Sequence, residues 1–220
     1  FTTDKFYNMP DEIVRIGFFL SLQDRHHQAL LLDFINSPLM RQIQSEDIAN
    51  SFKQIIQAKS RKESALEVVL VNPICMNKVK AVDLGIILHA ISESDALLGI
   101  FILGPFFEKV DPNAVYNIFF VPLLTLGKPL QSPDEIQETK PQFEEFKKMA
   151  LSGAAQHIYR DIPKRYPDYL NQFFQNDREL DYLVVAAAGL GLVELLDYVL
   201  NSRAGEVSQQ ALKFAAFQTA

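Results

Sequence analysis

The stretch Asp177–Leu200, DRELDYLVVAAAGLGLVELLDYVL, constrains this chain most, because its spacing fits two short apolar helices folded back on each other. Leu183, Val184 and Ala187 recur at helical spacing before Gly189-Leu190-Gly191. After it, Leu192, Leu195, Leu196 and Val199 build a second apolar stripe. The small residues allow a neighbouring helix to come close, and the large ones fill the space between. The two glycines are placed to relieve the steric penalty of the reversal, since glycine takes positive φ freely. A two-helix unit of this kind cannot cover its own apolar face, so it calls for stacked neighbours.

A neighbour is readable downstream, where Ala215-Ala216 repeats the small pair 28 residues after Ala187-Ala188. Ala187-Ala188-Gly189-Leu190-Gly191, followed by Glu194-Leu195-Leu196 and Val199-Leu200, resembles the core pattern of ankyrin repeats. The resemblance covers about the last fifth of the chain. The 28-residue spacing is shorter than the roughly 33 residues of an ankyrin unit. Tyr182-Leu183-Val184-Val185 stands where the family has Thr-Pro-Leu-His, and Leu192 stands where it has a histidine after the turn. The resemblance implies stacked helix pairs with a protein-binding surface and no chemical step. The plain alternative is an ordinary antiparallel helical hairpin.

With 48% apolar residues in 220, the chain can bury a substantial core. A net charge of −6 with scattered Lys and Arg argues against an electrostatic nucleic-acid binder, and Lys59-Ser60-Arg61-Lys62 reads as a solvated helix end. Cys75 is the sole cysteine, so no internal disulfide forms and a reducing, intracellular setting fits. The richest apolar stretch, 82–107, is interrupted by Asp83, His89, Glu93 and Asp95, which makes it a buried helix pair rather than a membrane span. The start at Phe1 without methionine is the expected mark of a trimmed fragment.

Met9-Pro10-Asp11-Glu12 suits a helix start, and Ile13, Ile16, Phe19 and Leu20 mark an apolar face. A second helix is expected over 24–36 and a third from Ser45, a plausible capping residue, through Ile55. Met9-Pro10-Asp11-Glu12-Ile13 with Phe19-Leu20-Ser21-Leu22-Gln23-Asp24 resembles an F-box, the helical module that hooks a protein onto a cullin-type ubiquitin ligase. That resemblance implies Pro10, Ile13, Leu20 and Leu22 as docking residues and a ubiquitin-ligase adaptor as partner. F-box modules joined to ankyrin-type repeats occur in bacterial effectors, which implies a virulence setting inside a eukaryotic host cell. The bland alternative is a helical cap over the repeats.

Residues 64–71, SALEVVLV, fit either a strand or the end of a buried helix, stopped by Asn72-Pro73. Residues 82–89 and 96–103 form another apolar pair. Prolines from Pro105 to Pro141 permit only short helices in the middle third. The fold class expected is mainly α: a helical N-terminal domain over 1–125, a proline-rich connection over 126–140, and a helical region over 141–220 ending in ankyrin-like repeats. Within the last, 141–151 is read as amphipathic, with Phe143, Phe146 and Ala150 on one face.

Cys75 with His89 or His157, and Asp83 or Asp161 to orient the imidazole, would make a cysteine-dependent hydrolase or transferase. The apolar company of Pro73-Ile74-Cys75-Met76 favours a small buried hydrophobe instead. His26-His27 beside Asp24 point about 100° apart on a helix and are poorly arranged for one metal, and no HExxH, paired CxxC or EF-hand loop occurs. Gly189-Leu190-Gly191 lacks the third glycine and the Lys-Ser/Thr pair of a phosphate loop. Asp134-Glu135 and Glu144-Glu145 read as solvated acids, and most of the seventeen phenylalanines lie in runs too apolar to face water. The expectation is a protein partner, with no cofactor, metal or nucleic acid.

Overall fold

In the computed structural model, residues 9–23, 28–58, 63–128, 153–174 and 176–218 are described, and every regular element among them is helical. The segment expected as an amphipathic helix, 141–151, lies outside the described residues, as do most of the proline-rich connection, the Lys59–Lys62 cluster and His26-His27. The chain divides into two compact units, 1–111 and 112–220, each with its own core.

The first unit contains α1 (Asp11–Gln23), α2 (Gln28–Asn36), a 3-10 turn (Pro38–Gln42), α3 (Ser45–Gln57), α4 (Glu63–Val71), the single turn α5 (Pro73–Met76), α6 (Ala81–Ile91) and α7 (Asp95–Leu103). Residues 64–71 are therefore helical, and four of them, Ala65, Leu66, Val69 and Leu70, are buried at the three- and four-residue spacing of one helical face. Asn72 stops α4 and caps α5, its side-chain oxygen accepting from the Ile74 N–H at 2.9 Å while Pro73 supplies a first helical position that lacks an N–H. Helix α3 packs on α6, α4 on α7 and α1 on α2. Their shared core holds Phe18, Leu31, Ile48, Phe52, Leu66 and Leu84 with essentially no exposure.

Ser45 is not the cap of α3. Gln44 stands in that place, its N–H donating to Asp47 Oδ2 at 2.9 Å. Ser45 is buried one position inside, accepting from the Lys80 N–H at 2.8 Å and donating to Asp83 Oδ2. A buried carboxylate needs hydrogen bonds, and this contact satisfies Asp83 while pinning the N-terminal ends of α3 and α6 together.

The second unit opens with an almost continuous helical run, α8 (Pro112–Val115), a π-helical turn (Tyr116–Phe120) and α9 (Val121–Gly127). Pro122 explains the turn: it has no N–H to continue the α ladder, and the wider register, with the Val121 N–H bonding to the Tyr116 carbonyl, absorbs the defect. Residues 112–128 thus belong with the C-terminal unit, ahead of the stretch expected as the connection. Four helices follow: α10 (Gly153–Arg165), α11 (Pro167–Phe173), α12 (Asp177–Leu190) and α13 (Val193–Ser202), and then α14 (Gln209–Gln218).

Helix α12 is the axis of this unit, packed against α9, α13 and α14. The hairpin at its end forms as the spacing implied, but only one of its two glycines supplies the reversal. Gly191 takes φ 69°, and the Leu192 N–H reaches the Ala187 carbonyl at 2.9 Å while the Gly191 N–H reaches that of Ala188 at 3.2 Å. Gly189 remains within α12 and is exposed. The tightest approach lies elsewhere, at Gly127, whose hydrogen faces the Tyr182 backbone: a Cβ there would sit 1.8 Å from the Tyr182 carbonyl oxygen. Beside this seam, Tyr116, Phe120, Tyr159, Phe173 and Phe174 form a continuous aromatic cluster with ring centroids 5.3 to 6.3 Å apart. The buried Tyr159 hydroxyl donates to the Phe119 carbonyl at 2.8 Å, inside the π-helical turn.

Candidate functional site

Helix α1 is apolar on two opposite sides. Val14, Phe18 and Leu22, spaced by four, are at most 1% exposed and form the side that enters the core. Roughly 180° around the helix, Ile13, Ile16 and Leu20 are 53%, 52% and 57% exposed. Scattered exposed aliphatics are ordinary, whereas these three share one face of the helix opposite its buried face.

The F-box-like residues divide between these sides. Pro10, Ile13 and Leu20 are exposed, whereas Leu22 is buried within the unit's own core and has no surface to offer. Phe19 is only partly exposed. The apolar face expected over Ile13, Ile16, Phe19 and Leu20 is thus largely exposed, and Val14, Phe18 and Leu22 enter the core instead, because periodicity does not say which side the rest of the chain covers.

The thiol constellation is not assembled. Cys75 is fully buried in α5, and burial pushes its thiol up to about 12, with nearby Lys78 only partly opposing that shift. A nucleophilic cysteine must be a thiolate that solvent-borne substrate can reach, and Cys75 is neither. His89 is exposed near the end of α6, and Asp83, proposed to orient it, is bound instead to Ser45.

His157 does meet Asp161, one turn on along α10, with Nδ1 3.4 Å from Oδ2. Arg160 binds the same carboxylate at 2.9 Å through Nε and lies 3.0 Å from His157 Nδ1 through Nη2. Burial raises the Asp161 carboxyl, but the hydrogen bonds and charges of Arg160 and His157 outweigh it and hold the group below its ordinary value. The cluster holds a carboxylate in its charged form and is built as a surface ion-pair network. Among the described residues, no group of three His, Cys, Asp or Glu side chains is placed to hold a metal ion.

The first unit also carries a surface groove. A shallow open groove of about 250 Å³ runs between Ile35, Pro38, Met40 and Ile74, with Arg41 and Lys78 at its rim. The Lys78 ammonium is already committed, donating to the Ile43 carbonyl at 2.9 Å and the Arg41 carbonyl at 3.3 Å. In the second unit, Gly191 ends α12 and Gly189 lies within it. No described helix is long and apolar enough to cross a membrane.

The fold and these surfaces define the chain as a mainly α-helical protein of two units. No family model, curated protein or solved structure matches it.

Proposed function

We propose that this chain is a non-catalytic interaction module that binds a protein partner through its helical surfaces. The observation that carries the reading is the doubly apolar α1, whose outward residues Ile13, Ile16 and Leu20 are exposed opposite its buried face. The hairpin α12–α13, closed by Gly191 and continued by α14, supports a further, ankyrin-like binding surface in the second unit, where Val193 is exposed at the start of α13. The setting implied by these resemblances is a bacterial effector acting inside a host cell.

A second reading, an F-box-like adaptor to a ubiquitin ligase, is favoured by the exposure of Pro10, Ile13 and Leu20 on one surface. Affinity capture from eukaryotic lysate separates the two, using the full chain beside Ile13→Glu/Leu20→Glu and Val193→Glu variants. A cullin-ligase adaptor lost with the α1 variant supports the adaptor. A different specific partner, lost with either variant, supports the general module. If no specific partner is captured, or if none is sensitive to either variant, the proposal fails.

A further inference from the structure

The groove of the first unit lies where α2 ends, between the 3-10 turn and α5. Ile35 and Met40, 1% and 2% exposed, form its floor, and the exposed Pro38 and Ile74 form its walls. At about 250 Å³ and open to solvent, it falls below the roughly 300–1,000 Å³ that encloses a cofactor or a drug-sized molecule. Its shape suits apolar side chains from a short segment that lies across it.

The polar groups of the lining select which segment. They include Arg41 and Lys78 and no carboxylate, in a chain whose net charge is −6. Lys78 is fixed in place by the Ile43 and Arg41 carbonyls and, with three N–H donors, keeps one to offer. Arg15, Arg160 and Arg203 are each held by a carboxylate, at Asp47, Asp161 and Glu206. Arg41 meets none among the described residues, and its exposed guanidinium keeps the planar fork that takes a carboxylate on two parallel bonds. Ser37 is spent on the end of α2, its hydroxyl donating to the Phe34 carbonyl at 2.7 Å and accepting from the Leu39 N–H at 3.2 Å. Asn36 is exposed and carries both a donor and an acceptor for a peptide main chain. A second copy in a two-fold pairing would set Arg41 and Lys78 against their own counterparts. An anionic membrane calls for a cluster of about 4–8 basic residues, where this notch has two.

Resting on the reading of the chain as an interaction module, we infer that the groove bounded by Ile35, Pro38, Met40 and Ile74 is a docking site for a short segment of a partner protein in which a large aliphatic residue sits beside Asp or Glu. The aliphatic side chain packs over Ile35 and Met40, the carboxylate pairs with Arg41 and faces Lys78, and Asn36 bonds the main chain of the segment.

The test is fluorescence anisotropy at low ionic strength with the full chain and two labelled synthetic peptides. Both share a central leucine, flanked in one by glutamates and in the other by lysines. The glutamate peptide binds roughly tenfold tighter, a gap that corresponds to about 1.4 kcal/mol and shrinks as salt is raised. Ile74→Glu abolishes its binding. Arg41→Glu removes the preference, whereas Lys53→Glu, the same charge change on an exposed lysine of α3 outside the groove, leaves it. Ile74, Arg41 and Lys53 are all exposed, so the variants keep the fold, which circular dichroism checks.

Equal affinity for the two peptides, binding by neither, binding indifferent to Ile74→Glu, or a preference lost as fully with Lys53→Glu as with Arg41→Glu overturns the inference. So does sedimentation showing a dimer dispersed by Ile74→Glu, which assigns the groove to a second copy, or Arg41-dependent binding to vesicles of anionic phospholipid. If the peptides fail while lysate still yields a partner lost with Ile13→Glu/Leu20→Glu or Val193→Glu, the docking site is wrong and the module reading stands. If the peptides fail and no partner is captured, both fail.

Discussion

Replacing Gly127 by alanine adds one carbon where the structure has no room for it. The new Cβ would lie 1.8, 2.5 and 2.8 Å from the carbonyl oxygen, carbonyl carbon and Cα of Tyr182. All three are backbone atoms, so no rotamer change relieves the contact. To restore ordinary van der Waals separation, α9 and α12 must move apart by about 1.5 Å. That movement opens a seam on which Leu123 and Leu124 from one helix and Leu180, Leu183 and Val184 from the other are buried. Overpacking alone costs roughly 1–3 kcal/mol, and thinning the contacts along the seam brings the total to about 3 kcal/mol. For a unit of this size each kcal/mol shifts Tm by roughly 4–8 °C, so the variant melts about 12–24 °C lower. Scanning calorimetry of the full chain reads this directly, with Gly205→Ala as the control, since nothing lies within 4 Å of a Cβ there. A Gly127→Ala protein that melts within about 2 °C of the parent would refute the close approach of these helices.

Three other outcomes follow from the same geometry. Tyr159→Phe keeps the ring in the aromatic cluster but strips the Phe119 carbonyl of its donor, costing about 1–2 kcal/mol in denaturant titrations; no loss would show that water replaces the hydroxyl. Cys75 in the native protein reacts with a thiol reagent at pH 8 far more slowly than in guanidinium, because its thiol is both buried and held neutral up to about 12; native labelling as fast as unfolded labelling would remove it from the core. The Asp161 carboxyl has a lowered folded pKa, so the stability it contributes is present above the ordinary value of 3.8 and is lost as pH falls through the folded one. Thermal melts below pH 4 should therefore fall less steeply for Asp161→Asn than for the parent, and parallel curves would show that the pairing adds nothing.

The helices of this chain were largely legible because each rests on a short-range signal. Met9-Pro10-Asp11 opens α1, the Ser92–Asp95 break separates α6 from α7, and the glycine at 191 reverses the chain after α12. The burial of Cys75 was legible for the same reason, since its neighbours in sequence are apolar. Less legible was Ser45, which looks like a cap because capping is the commonest local use of a serine before a helix. Its hydroxyl is instead taken by Asp83, a partner 38 residues away that no local pattern announces. Residues 64–71 were ambiguous because a β-branched run can sit in either a strand or a helix, and packing on α7 accompanies the helical choice.

The sequence by itself determined that the chain is helical and apolar enough to fold, that its C-terminal part reverses at a glycine, and that α1 carries an apolar face at Ile13, Ile16 and Leu20. Tertiary structure alone decided which side of α1 becomes core and which glycine makes the close approach. Val14, Phe18 and Leu22 face inward while Ile13, Ile16 and Leu20 do not, and Gly127, an unremarked residue in a proline-rich stretch, is the one that lies against α12. The reason is physical. Helical periodicity is set by hydrogen bonds within a few residues, whereas burial is set by whichever distant segment comes to lie alongside, and a helix with two apolar faces is equally well formed whichever one is covered.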